Sequence, residues 1–304
     1  MQDLFHIPSC FFSSATKLSG DPVPAAATAK SGKTAVTSLY LANIAGHRRL
    51  ITVSWCKNLL AHGFSVSVDD ASDDNPATST LRRRSSCCKV EMQPWHFWRK
   101  QGSKQLDADG MPPVEVFWNL KAAKFADDPE PLSDFFLAVV CNEETILLLG
   151  NMKKKAQQRT ASPRPPMTEA TLVCRKEHVF GKKCFTTRAD LRARGGRSHE
   201  ISVECKDKDS ELVVKIDGTV SVHVRNLRWK FRGNACVWIN EVKLGVCWDV
   251  HDWLFGHGLR HALFIFNPES SSSTPSPCLF GVEEGRKIDD ESGFCLYLYA
   301  WRLD

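Results

Sequence analysis

The sequence is short of the signals that identify chemistry. It contains no GxSxG, HExxH, GxxxxGK[ST] or GxGxxG, so nucleophile elbow, zinc-protease helix, phosphate loop and dinucleotide turn are all without support. No CxxC occurs and Cys87 adjoins Cys88, an arrangement that does not suit structural zinc. Its 12 cysteines in 304 residues fall below the density of a disulfide scaffold and follow no framework, so all are expected to be reduced thiols. Cys174, Cys205, Cys247 and Cys295 alternate with apolar neighbours, as small core hydrophobes do. The longest apolar runs, Phe135 to Cys141 and Ile146 to Leu149, are far shorter than the roughly 20 residues of a membrane-crossing helix. The start, Met-Gln-Asp-Leu-Phe-His, has neither basic residues nor an apolar core of the secretory kind. Residues 9–38 are rich in Ser, Ala and Thr, with Asp21 the sole acid, but lack Arg and hold only Lys17, Lys30 and Lys33. That composition leaves an organelle transit segment open; otherwise an intracellular location, cytoplasmic or nuclear, is expected.

What is present is strand. Residues 35–41, 50–55, 64–68, 114–118, 211–216, 220–224 and 294–301 mostly alternate apolar and polar side chains between turn residues. Period two leaves one face buried and one wet, and short strands at this spacing predict antiparallel sheets in a sandwich or barrel. Helices are expected only at Asn151 to Arg159 and at Thr186 to Arg194, the second opened by Thr187 and closed by Gly195-Gly196. The fold class is therefore all-β and mainly antiparallel.

The two halves of the chain resemble each other. Residues 50–57 match 200–206, residues 64–69 match 212–217, and Lys89 to Phe97 matches His223 to Phe231. Val116 to Leu120 then matches Val246 to Val250, and Phe125 follows Trp118 by the same interval as Phe255 follows Trp248. Five blocks in one order predict two tandem, similar sandwich-like or barrel-like modules. The expected organisation is a disordered leader (1–33), a first β module (34–150), a basic connector with one or two short helices (151–197), and a second β module (198–304). Ser162 to Pro166 and Ser270 to Pro277 are expected to be mobile loops. In this alignment Trp229 and Phe231 stand where Trp95 and Phe97 stand, which points to a packing role for all four.

Charge is concentrated between the modules. Residues 151–197 hold 13 Lys and Arg against Glu169, Glu177 and Asp190, a net of +10, while the rest of the chain sums to −5. Lys153, Lys154, Lys155, Lys182, Lys183, Arg192, Arg194 and Arg197 are the candidate polyanion contacts, because clustered cations lower the cost of approaching phosphates. Three other constellations carry less. Asp69, Asp70, Asp73 and Asp74 offer carboxylates for calcium without the spacing of an EF-hand, and their simpler reading is a solvated loop. His251, His257 and His261 are a possible zinc set, of which His257 and His261 would share a helix face but for Gly258, and any Cys-His pair among so many is arbitrary.

The order Ala45-Gly46-His47-Arg48-Arg49-Leu50-Ile51-Thr52-Val53-Ser54-Trp55-Cys56-Lys57, followed by Val116-Phe117-Trp118-Asn119-Leu120, Lys176-Glu177-His178-Val179-Phe180-Gly181 and Leu227-Arg228-Trp229-Lys230-Phe231-Arg232, resembles the plant family known as domain of unknown function 868. The resemblance spans about residues 34–268. It implies a plant source and supplies no activity, cofactor or catalytic residue. No cofactor, metal or catalytic residue is assigned from the sequence. The expected function is a non-enzymatic β-domain that binds another protein, with anionic lipid or nucleic acid as a subordinate partner through the basic connector. The alternative is an enzyme or small-ligand binder with a pocket between strands.

Overall fold

A computed structural model describes residues 32–57, 62–70, 86–92, 100–106, 112–160, 170–181, 183–190, 197–206, 210–240, 242–268 and 294–302. The leader up to residue 31, both Pro/Ser loops, Asp73, Asp74, Trp95 and Phe97 lie outside the described residues.

Alternation in sequence becomes alternation in burial. β1 (Gly32–Ile44) and β2 (His47–Lys57) form an antiparallel hairpin, extended by β3 (His62–Asp70) and β4 (Ser86–Met92). Ile51, Val53 and Trp55 turn to one side of β2 and are buried. A second four-stranded meander follows: β5 (Gln101–Leu106), β6 (Val114–Asn119), β7 (Phe136–Cys141) and β8 (Glu144–Leu149). Its inward residues Val114, Val116, Leu137 and Val139 share one core with Ile51, Val53, Trp55 and Phe64, so the two sheets stack face to face. The outer face of β7, through Phe136 and Ala138, is covered by Ala156 of α1 (Lys153–Thr160) and by Met152 just before it.

After β9 (Thr171–Gly181) the same order recurs. β10 (Cys184–Asp190), β11 (Ser198–Lys206), β12 (Glu211–Ile216) and β13 (Thr219–Arg225) make one four-stranded meander. β14 (Arg232–Ile239), β15 (Val242–Asp249), β16 (Arg260–Pro268) and β17 (Cys295–Arg302) make the next, with the short helix α2 (His251–Phe255) between β15 and β16. Ile201, Val203, Val246, Phe264 and Leu298 belong to a second core of their own. Residues matched between the halves hold matching places: Trp118 lies on the second strand of its sheet opposite Gly102, and Trp248 on the second strand of its sheet opposite Gly233. Hairpins close in equivalent ways too. Asp217 (φ 49°) and Gly218 (φ 80°) are both left-handed, the geometry of a two-residue turn whose twist suits the flanking strands.

β9 has no counterpart in the first half. It pairs antiparallel with β1 and parallel with β17, fusing one sheet of each half into a nine-stranded sheet ordered β14-β15-β16-β17-β9-β1-β2-β3-β4. Between the halves sits Glu177, fully buried, ion-paired to Lys33 at 3.0 Å and Arg175 at 2.7 Å and accepting a short hydrogen bond from the Thr187 hydroxyl. Arg175 also holds Glu130 at 2.9 Å, and Lys33 reaches Asp128 at 3.5 Å. Burial opposes the Glu177 charge, but Arg175 and Lys33 outweigh it and keep the carboxyl below its ordinary range.

Two expectations are corrected. Thr186 to Asp190 form strand β10 rather than a helix, because Phe185, Thr187 and Ala189 alternate into the second core and only a period of two serves that burial. Cys247 is disulfide-bonded, so not every thiol is free; the nine other described cysteines are.

Candidate interaction surface

The turn from β13 to β14 carries the most exposed aromatic side chain of the described residues. Trp229 is 89% exposed. The chain around it alternates: Leu227 is fully buried and Phe231 packs on the second core, while Arg228, Trp229 and Lys230 face outward. Backbone bonds fix this conformation. The N–H of Leu227 donates to the Ser210 carbonyl at 2.9 Å, that of Trp229 to the Asn226 carbonyl at 2.9 Å, and that of Val250 to the Phe231 carbonyl at 2.9 Å. The indole N–H of Trp248 donates to the Lys230 carbonyl at 3.0 Å, and Asn226 takes the left-handed φ of 57° that starts the turn. Packing was the role expected for Trp229 from its match with Trp95; its exposure corrects that. The other matched tryptophans, Trp118 and Trp248, are both buried.

A second segment reaches the same end of the molecule. The start of β14 pairs with the end of β15 through Arg232 and Asp249, and α2 follows directly. Phe231 meets Phe255 of α2 edge-on at 5.8 Å and His251 at 5.5 Å. Phe255 is 47% exposed and Leu259, just before β16, is 43% exposed. The nearby acids are engaged: Asp249 pairs with Arg232 at 2.7 Å, and Asp252 with His251 at 3.1 Å. Arg225, Arg228 and Lys230 are exposed and have no ion pair among the described residues. Glu211, opposite Arg225 on β12, pairs with His223 at 3.0 Å, so this end presents Trp229, Phe255 and Leu259 beside three cations without ion pairs of their own among the described residues.

The residues singled out for polyanion binding are not gathered in one place. Lys153, Lys154 and Lys155 lie on α1, over the outer face of the first half. Lys183 and Arg197 are exposed on either side of β10 in the second half, and Lys182, Arg192 and Arg194 lie outside the described residues. Lys155 lines a shallow open cleft of about 210 Å³ with Gln101, Asn119, Phe136, Gln158 and Arg159. The Trp229 turn is not among the residues that sequence reasoning picked out for binding. Its signal was the run Arg225-Asn226-Leu227-Arg228-Trp229-Lys230-Phe231-Arg232, four cations with no acid.

The histidine and cysteine constellations resolve into packing. His178 on β9 is buried, stacked on Tyr299 at 4.7 Å, and its Nδ1 accepts the indole N–H of Trp301 at 3.1 Å. Burial, with His261 and Lys176 near it, lowers its pKa to about 4, so it is a neutral acceptor at physiological pH. His261 lies against Trp301 at 4.7 Å on β16, whereas His251 is in α2 and His257 in the loop between them. The thiols of Cys88 and Cys174 are each pushed up to about 11 by burial, which holds them protonated. Burial also raises the Asp69 carboxyl, and Ser67 donates to it at 3.3 Å. Among the described residues no group of three His, Cys, Asp or Glu is disposed to hold a metal ion, and no helix is long and apolar enough to cross a membrane.

The fold thus defines an all-β protein of paired four-stranded meanders, joined through one added strand, with an exposed aromatic and cationic end. A family model described as a plant protein of unknown function (DUF868) matches residues 31–302, and the chain belongs to that family. Comparison with curated proteins and with solved structures returns no match.

Proposed function

We propose that this protein is a binding module without chemistry of its own, and that its recognition surface is the end of the second half around Trp229. The observation that carries this reading is the exposure of that indole, 89%, on a turn whose backbone is held by hydrogen bonds to Ser210, Asn226, Leu227, Val250 and the Trp248 indole. A large apolar side chain held out in water is a cost to the free protein, and exposed aromatics of this kind mark interaction sites. Arg225, Arg228 and Lys230 give the surface a positive field, so the partner is anionic. The cleft beside Lys155, of about 210 Å³, is smaller than the roughly 300–1,000 Å³ of ordinary ligand pockets.

Retention of the full-length protein on immobilised heparin, a generic polyanion, tests the reading. Reversing Arg225, Arg228 and Lys230 to Glu should cause elution at lower salt and reduce the salt slope of affinity by about one per lost anion contact. The Lys153→Glu, Lys154→Glu, Lys155→Glu variant should elute like the parent. The opposite pattern, with α1 decisive and the turn silent, overturns the proposal.

A further inference from the structure

We infer that the anionic partner of this end is a lipid bilayer surface, onto which Trp229, Phe255 and Leu259 dock while Arg225, Arg228 and Lys230 meet the headgroups. The inference rests on the reading just given, and three observations carry it further.

First, the apolar side chains come from two separate segments brought to one end. Trp229 stands on the β13–β14 turn, and Phe255 and Leu259 on α2 and the loop after it. The segments are tied by the Val250 to Phe231 hydrogen bond and by the Phe231–Phe255 ring contact. A protein end with several apolar tips suits a deformable apolar medium.

Second, the chemistry of the three tips separates a bilayer from a nucleic acid. An indole stacks on bases and also prefers the membrane interface, where its ring is buried and its N–H hydrated. Leu259 is aliphatic and offers no stacking platform, and Phe255 already gives a face or edge to Phe231 and His251. Burial of aliphatic and partly covered aromatic surface is a gain only where the partner is itself apolar, as beneath a headgroup layer.

Third, charge and apolar surface are contiguous in the chain. Arg228 and Lys230 flank Trp229, and the acids Asp249, Asp252 and Glu211 near them are paired with Arg232, His251 and His223. Cations beside an interfacial anchor attract the negative surface of an anionic leaflet. Apolar burial or charge attraction alone gives weak, reversible attachment, and the two together are what makes it stable.

Co-sedimentation of the full-length protein with vesicles decides the matter. Vesicles of phosphatidylcholine containing phosphatidylserine should pull the protein down, vesicles of phosphatidylcholine alone should do so much less, and added salt should release it. Trp229→Ala should weaken partitioning by roughly tenfold, from the apolar area lost, and Arg228→Glu by about fivefold or more. Both positions are exposed, and an unchanged thermal midpoint will show that each variant is folded. Failure to bind phosphatidylserine vesicles, or binding indifferent to both substitutions, overturns the membrane inference. If heparin retention persists with its dependence on the turn while vesicles are ignored, the recognition surface stands and only the bilayer is excluded. Oligothymidylate binding that requires Trp229 in place of vesicle binding would identify a nucleic acid instead. Loss of both heparin and vesicle binding in the parent protein removes the two proposals together.

Discussion

Gly233 and Trp248 face each other across β14 and β15, and a methyl group on the glycine would stand 2.3 Å from the indole ring, at Cζ2. The ring therefore lies flat over a backbone that has no side chain, which is how Trp248 can be buried and still send its N–H to the Lys230 carbonyl. Gly102 and Trp118 repeat the arrangement in the first half, with a Cβ distance of 2.7 Å. Alanine at either glycine forces the ring out of place, an overpacking cost of about 1–3 kcal/mol. Gly233→Ala should be the more harmful of the two, and Trp248→Phe should partly relieve it. Thermal or urea unfolding of the two singles and the double variant reads this coupling. The tryptophans are legible in sequence as matched positions, but their glycines are not: Gly102 and Gly233 stand far from them in the chain, and only strand pairing brings each pair together.

At the scale of the element, β9 shows where sequence reading reaches and where it stops. Strands such as β2, β3, β12 and β13 announce themselves by alternation, because one of their faces is wet. β9 is enclosed on both faces, with Val173, Cys174, Glu177, His178, Val179 and Phe180 all buried, so no period marks it and its charges read as a connector's. Those charges are an internal clasp. Removing one partner of a buried ion network leaves the others uncompensated, at a cost of about 3–5 kcal/mol. Glu177→Gln should therefore destabilise strongly, with Lys33 and Arg175 left buried beside a neutral amide. The pH dependence follows from the sign of the shift. A carboxyl whose folded pKa is depressed contributes fully above its unfolded value, near 4.5, and that contribution disappears as pH falls through the lower folded value. Acid titration of stability should thus be shallower in Glu177→Gln than in the parent, and equal slopes would show that Glu177 is not the group responsible. The Trp229 surface was hidden for a different reason: exposure is a property of the folded turn, and the match with Trp95 in sequence implies a packing role that Trp229 does not have, whereas the matched Trp118 and Trp248 are both buried.

At the scale of the molecule, two separate cores are joined by a single strand that belongs fully to neither. Continuity through β9 should make the halves unfold together, and weakening it should let them part. Lys176 lies in mid-strand, opposite Thr37 on one side and Tyr297 on the other, where proline removes a ladder hydrogen bond and distorts the strand. Calorimetry of Lys176→Pro should resolve two transitions where the parent gives one, and a single broadened transition in the variant would argue against independent cores. The register of the same strand also sets an order in time. Cys174 pairs with Cys295, so a growing chain completes the first half and docks β9 on β1 long before β17 has been synthesised. Throughout that interval β9 offers an open parallel-pairing edge, which any other extended segment could occupy. The nascent protein therefore passes through a stage in which it must be shielded from its neighbours, and the arrival of β17 ends that exposure.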